Sequence, residues 1–121
     1  KTFGVPTQNY YARGIEKILE TGNYNSIWLF SDDLQMASEF LPKDCGLPIR
    51  MIGQVNGSTA LTFEIMRLGY GYVLANSTFS WWAAYLTRNL EVEVVAPEPW
   101  FIGHPDPNLL IPRDWHRILR D

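Results

Sequence analysis

The sequence holds one cysteine, Cys45, in 121 residues, so no internal disulfide can form and a reducing compartment suits the chain best. Its two histidines, His104 and His116, stand apart in the tail, which argues against a structural zinc site. Positive charge is sparse and scattered: ten Lys and Arg stand against thirteen Asp and Glu, and a net charge of −3 leaves no electrostatic footprint for nucleic acid. No apolar run approaches the roughly 20 residues that cross a bilayer. Residues 1–10 lack the apolar core of a signal peptide, so the expected location is cytoplasmic, whether free or peripheral to the inner membrane. Neither G-x-x-x-x-G-K-[ST] nor G-x-G-x-x-G occurs, which weighs against the two commonest nucleotide-binding motifs. No G-x-S-x-G elbow surrounds Ser77 or Ser80, so neither reads as a hydrolase nucleophile.

What is present is an ordinary soluble balance, 46% apolar and 19% charged, enough for one domain with a core. The organising stretch is VLANSTFSWWAAYL, residues 73–86. A short β-type run gives way to a polar knot, Asn76, Ser77 and Thr78, and then to apolar residues at helical spacing. Ser77 or Thr78 is placed to cap that helix. The free N–H groups of a helix start favour an anion, so the turn is a candidate phosphate seat. An ordinary capped helix beside two core tryptophans reads the same residues equally well.

Helix and strand signals alternate along the chain. A helix is expected from a Thr7 cap to about Thr21, with Tyr11, Ile15, Ile18 and Leu19 as its apolar face, Gly14 as a local weakness and Gly22 as its stop. SIWLFS, residues 26–31, reads as a strand covered on both faces. A short helix over 34–41 follows, then a strand over 49–52 and a helix over 59–68 with Leu61, Ile65 and Leu68 on one face. A strand over 72–75, a helix over 78–90 and a strand over 91–96 complete the pattern. The proline-rich tail is expected to be irregular, packed down by Trp100 and Phe101, with a helical turn over 115–119. This order predicts a single α/β domain over 1–121, a Rossmann-like parallel sheet with helices on both faces. Ligands of such sheets lie outside the carboxyl ends of the strands, here 31–33, 53–54, 76–78 and 97–98. Carboxylates suit the N–H groups of a base, and a nest of N–H and hydroxyl groups suits a pyrophosphate. Asp32 and Asp33 also fit an N-cap and first turn, and Trp81, Trp82 and Trp100 fit core packing better than sugar platforms.

FSDD at 30–33, ANSTFSWWAAYL at 75–86 and APEPWF at 96–101 resemble the C-terminal half of the bacterial α-1,2-fucosyltransferases, glycosyltransferase family 11. QNYYARGIEKIL at 8–19 and IPRDW at 111–115 extend the resemblance over nearly the whole chain. It implies the donor-binding half of a GT-B-like enzyme that moves fucose from GDP-fucose to a galactose 2-hydroxyl with inversion, on a galactose-terminated glycan acceptor and with no obligatory metal. Asp32 or Asp33 would then contact guanine or ribose. Ser77, Thr78, Phe79 and Ser80 would seat the pyrophosphate, and Asn76 would shape the turn. Three departures stand out: the family's basic His-x-Arg-Arg-x-Asp motif is absent, Thr62 stands where an Asp is common, and Gly71 where a His is usual. The expectation is therefore a C-terminal piece that needs an upstream half for catalysis, with the catalytic residues not assignable from these positions. The alternative is a noncatalytic α/β interaction module of the same fold.

Overall fold

The computed structural model describes residues 6–42, 45–103, 106–107 and 109–121. The expectations for residues 1–5, His104 and Pro105 lie outside them. The chain is α/β, and every strand pairing is parallel. Helix α1 (Gln8–Leu19) leads to strand β1 (Ile27–Phe30), helix α2 (Leu34–Ser38) and strand β2 (Ile49–Ile52). Helix α3 (Thr59–Met66), strand β3 (Gly71–Val73), helix α4 (Thr78–Tyr85) and strand β4 (Glu93–Glu98) follow, and strand β5 (His116–Leu119) closes the order.

The parallel ladders form two sheets, β1–β2 and β3–β4–β5, rather than one continuous layer. In the larger sheet β4 is central: its Val94, Val95, Ala96 and Pro97 are buried because neighbours cover it on both edges and α1 crosses it. One core cluster gathers Leu74, Ala84, Val94, Ala96, Trp100 and Ile111 beneath α4. A second gathers Tyr10, Ile18 and Val95 beneath α1.

Helix α1 starts as its sequence predicts, with Thr7 Oγ1 accepting from the Tyr10 N–H at 3.3 Å. Its buried stripe is Tyr10, Gly14, Ile15 and Ile18, turned by one residue from the expected face. Gly14 is where the helix meets the sheet: a Cβ there would lie 2.7 Å from Val73 Cγ1 and 3.3 Å from Val95 Cγ1. The residue that weakens the helix by propensity is thus the one that lets it approach the strands.

Five expectations are corrected. Strand β1 is not covered on both faces, since Trp28 is 45% exposed and β1 has a partner on one edge. An unbroken apolar run signals double burial only where a layer lies on each side. Helix α3 does not bury Leu61 and Leu68, which are exposed; it buries Thr62. That hydroxyl is satisfied, accepting from the Val55 N–H and donating to the Ser58 carbonyl, each at 2.7 Å, so its burial leaves no polar group unpaired. Helix α4 stops at Tyr85 rather than running to 90. The next residues turn to the end of α3: the Arg88 N–H and Thr87 Oγ1 both reach the Arg67 carbonyl at 3.1 Å, and Asn89 Nδ2 reaches the Gly69 carbonyl at 2.6 Å. Those bonds replace further helical turns. Strand β4 lies two residues later than expected and includes Pro97, whose missing N–H is tolerated because the β5 ladder continues past it, with the Arg120 N–H donating to the Glu98 carbonyl. Residues 116–119 form a strand, not a helical turn. His116 and Ile118 are half-buried while Arg117 and Leu119 are exposed, the period of two that a strand requires.

Candidate donor-binding site

Asp32 and Asp33 follow β1, as expected, and both are exposed. Asp33 caps α2, its Oδ1 accepting from the Met36 N–H at 3.1 Å, while Ser31 Oγ accepts from the Asp33 N–H at 3.1 Å. The local role of Asp33 is therefore the cap. Asp32 is the carboxylate of the pair that projects into solvent without a cap bond.

The second group follows β3. Leu74 is buried and continues the ladder, its N–H donating to the Val95 carbonyl at 2.9 Å. Asn76 is half-buried, and Ser77, Thr78 and Phe79 are exposed. Ser77 is the cap: its Oγ accepts from the Ser80 N–H at 3.3 Å, and its carbonyl accepts from the Trp81 N–H at 3.0 Å. Ser80 Oγ donates back to the Ser77 carbonyl at 3.0 Å. The Ser80 N–H and both serine side chains therefore hold the turn. The first-turn N–H groups of Thr78 and Phe79 are the orphan donors of the helix start, and the exposed Ser77 and Thr78 add hydroxyls beside them. That is a compact donor set for an anion at the positive end of a helix dipole. The two groups belong to different sheets, and no hydrogen bond or ion pair joins them among the described residues. Among those residues, too, no three His, Cys, Asp or Glu side chains converge as metal ligands would.

Behind the turn lies a layer that the sequence did not announce. Tyr10 is fully buried, and its hydroxyl donates to the Leu74 carbonyl with the Val95 carbonyl 3.4 Å away. Burial drives its phenol well above the ordinary range, and burial likewise pushes Tyr11 up to about 12. Nearby Arg120 offsets part of each shift. Tyr10→Phe would leave the Leu74 carbonyl short of a donor in a buried place, with an expected loss of about 1–2 kcal/mol in urea unfolding. A change within about 0.3 kcal/mol would show that the hydroxyl does not support the turn. Trp100 is 3% exposed and belongs to the core, which resolves its two readings toward packing. Its N–H and that of Phe101 donate to the Asp106 carboxylate at 3.0 and 3.2 Å. Arg120 is 6% exposed, and its Nη1 donates to the carbonyls of Pro99 and Trp100 at 3.0 and 3.1 Å. The only signal that could have located Arg120 was the two-residue alternation of HRIL, which places the next residue at a strand exit.

Parallel strands with helices, and a serine-capped helix start directly after a strand, define an α/β domain of Rossmann-like type. Sequence comparison carries this further: the pattern described as glycosyl transferase family 11 matches residues 2–101, and the chain belongs to that family. It is 31% identical over 108 residues to the O-antigen biosynthesis glycosyltransferase WbnK of Escherichia coli, covering 86% of this chain and 34% of that protein. It is 29% identical over 124 residues to an alpha-1,2-colitosyltransferase of Escherichia coli, covering 98% of this chain and 41% of that enzyme. The chain thus spans well under half the length of these relatives. No solved structure matches it.

Thr62 and Gly71 each have a local role. Thr62 ties the start of α3 to Val55, a bond for which its hydroxyl is sized. At Gly71 a Cβ would stand 2.7 Å from Ile18 Cγ2 and 3.3 Å from the Tyr24 hydroxyl, so α1 and the segment before β1 occupy the space a side chain would need.

Proposed function

We propose that the protein is an inverting α-1,2-fucosyltransferase and that this chain is its C-terminal, donor-binding half in a GT-B-like architecture. The donor is GDP-fucose, and the acceptor is the 2-hydroxyl of a terminal galactose on a glycan. The observation that carries this reading is the serine-capped start of α4 at the carboxyl end of β3, in a chain of family 11. The pyrophosphate would take the N–H groups of Thr78 and Phe79 and the hydroxyls of Ser77 and Thr78. Ser80 and Asn76 would set the shape of the turn. Asp32 would face the guanine or ribose, with Asp33 holding the start of α2 beside it.

Chemically, this arrangement spreads the charge of the departing diphosphate over fixed donors. Preorganised donors of that kind are worth about 3 kcal/mol apiece to a transition state. They do not supply a base for the acceptor hydroxyl. That group, with the family's basic motif, belongs to the upstream half of the enzyme, which completes the centre. No metal is required by this reading, and the enzyme would work in the cytoplasm. A competing donor rests on one observation, the similarity to an enzyme named for α-1,2-colitosyl transfer, and it is a nucleotide-activated colitose.

A transfer assay separates these. The enzyme with its upstream half is given GDP-fucose or the colitose donor, and a galactose-terminated acceptor. Fucosyl product with an α-1,2 linkage is expected. Ser77→Trp places an indole over the helix start and is expected to raise the donor KM at least about tenfold, roughly 1.4 kcal/mol, with the acceptor KM unchanged. Product from the colitose donor alone would transfer the reading to colitose. Unchanged donor KM in Ser77→Trp would remove the turn from the site.

A further inference from the structure

We propose that Arg120 is a positioning residue that fixes the turn of residues 76–80. The role rests on the donor-binding reading, and it lies beyond the family match, which ends at residue 101. Three parallel strands leave the larger sheet side by side, and each exit contributes to one small knot. From the exit of β5, the Arg120 guanidinium crosses to the exit of β4 and donates to the carbonyls of Pro99 and Trp100 at 3.0 and 3.1 Å. From the exit of β3, Asn76 Nδ2 approaches the same Trp100 carbonyl at 3.5 Å. The Trp100 carbonyl is therefore shared between Arg120 and the first residue of the candidate turn.

The remaining bonds make this knot stiff. Asp106 accepts from the N–H groups of Trp100 and Phe101, so the N–H groups of the β4 exit are held as well as its carbonyls. The Arg120 N–H donates to the Glu98 carbonyl at 3.2 Å, and its own carbonyl accepts from the Thr7 N–H at 2.9 Å. The start of α1 is thereby tied to the same residue. Two residues into that helix, Tyr10 donates to the Leu74 carbonyl, just ahead of Asn76. Arg120 thus stands where α1 and the exits of β3, β4 and β5 meet, with 6% of its surface exposed. Both bonds leave one nitrogen, Nη1, whose two hydrogens lie in the fixed plane of the guanidinium, whereas the hydrogens of an ammonium turn freely on a flexible stem. Anchoring from a distant part of the chain matters here, because an anion seat made of backbone N–H groups is only as well ordered as the strand exit that carries it.

The test compares wild type, Arg120→Met, Arg120→Lys, Asn76→Ala and the Arg120→Met/Asn76→Ala pair in the enzyme with its upstream half. The first readout is hydrogen exchange without nucleotide. In Arg120→Met the bonded amides of Trp100, Phe101, Ser80 and Trp81 are expected to exchange about tenfold faster or more, while those of β1, β2 and α3 keep their rates. The second is calorimetric titration with GDP, whose affinity is expected to fall about tenfold in Arg120→Met and to be partly recovered in Arg120→Lys. The affinity losses of Arg120→Met and Asn76→Ala are expected to combine to less than their product, because both act through one carbonyl. Faster exchange spread evenly over all strands, or unchanged exchange at Ser80 and Trp81, would overturn the proposal. Should Arg120→Met not fold, Arg120→Lys is compared with wild type instead: exchange at the same amides is expected to quicken by a smaller factor, and unchanged exchange there would overturn the proposal. Should wild type show the expected exchange pattern against its variants and yet bind no GDP, the donor reading falls and the positioning role stands on exchange alone.

Discussion

Trp81→Ala is expected to lower the unfolding free energy by about 3 kcal/mol or more. Its indole stacks on Tyr85 at 4.9 Å with planes 12° apart, meets Trp82 edge-on at 5.0 Å, and lies 5.8 Å from Trp115. It packs against the cluster of Leu74, Ala84, Val94, Ala96, Trp100 and Ile111. Its Nε1–H donates to the Leu110 carbonyl at 2.9 Å, so the ring also pins the irregular tail to α4. Truncation removes packed area and ring contacts and orphans the Leu110 carbonyl. Urea unfolding followed by far-UV circular dichroism reads the loss. Trp81→Phe keeps a ring but not the N–H, and is expected to lie well between wild type and Trp81→Ala. A loss below about 1 kcal/mol in Trp81→Ala would mean that the tail holds its place without this anchor.

Gly14→Leu is expected to destabilise by about 3 kcal/mol through overpacking. The propensity scale alone predicts the opposite sign, since leucine is a better helix former than glycine by nearly 1 kcal/mol. Geometry decides between them. A Cβ at Gly14 would sit 2.7 Å from Val73 Cγ1, and three further carbons have no room between α1 and the strands. The valine methyl is one bond from its own Cβ and cannot swing aside as the end of a long side chain could. Relief requires α1 to lift from β3 and β4, which would open the cluster of Tyr10, Ile18 and Val95 and pull the Tyr10 hydroxyl from the Leu74 carbonyl. Urea unfolding of Gly14→Leu beside Gly14→Ala checks this. Stabilisation in both would show that helix propensity outweighs the close approach.

Period and punctuation carried much of this fold. The strand of residues 49–52 lies between Pro48 and Gly53 as its residues predict, and Thr7, Ser77 and Asp33 each cap the helix that follows. Local chemistry sets such features, and local chemistry is what a single sequence displays. The failures have a common cause in distant partners. Helix α4 ends early because Arg88 and Asn89 find carbonyls at the end of α3, about twenty residues away in sequence. Thr62 is buried in place of Leu61 and Leu68 because Val55 supplies the donor that a buried hydroxyl needs. Strand β5 is a strand because β4 offers it an edge, and its HRIL alternation was too short to outweigh the proline-rich stretch before it.

The candidate site divides in the same way. The turn of residues 76–80 was legible because strand, cap and helix lie within one stretch of sequence. Its support was not. Tyr10 bonds Leu74 ahead of that turn, Asp106 and Arg120 bond Trp100, whose carbonyl Asn76 approaches, and nothing in their own neighbourhoods marks them. The Asp32–Asp33 pair shows the limit of a short motif: one of its two carboxylates caps α2, a function any helix start can demand.

Calorimetric titration with GDP, with ADP and UDP as controls, tests the central claim most directly. The account predicts heat from GDP alone and its loss in Ser77→Trp. Equal heats from the three nucleotides, or none from a protein shown to be folded, would contradict it.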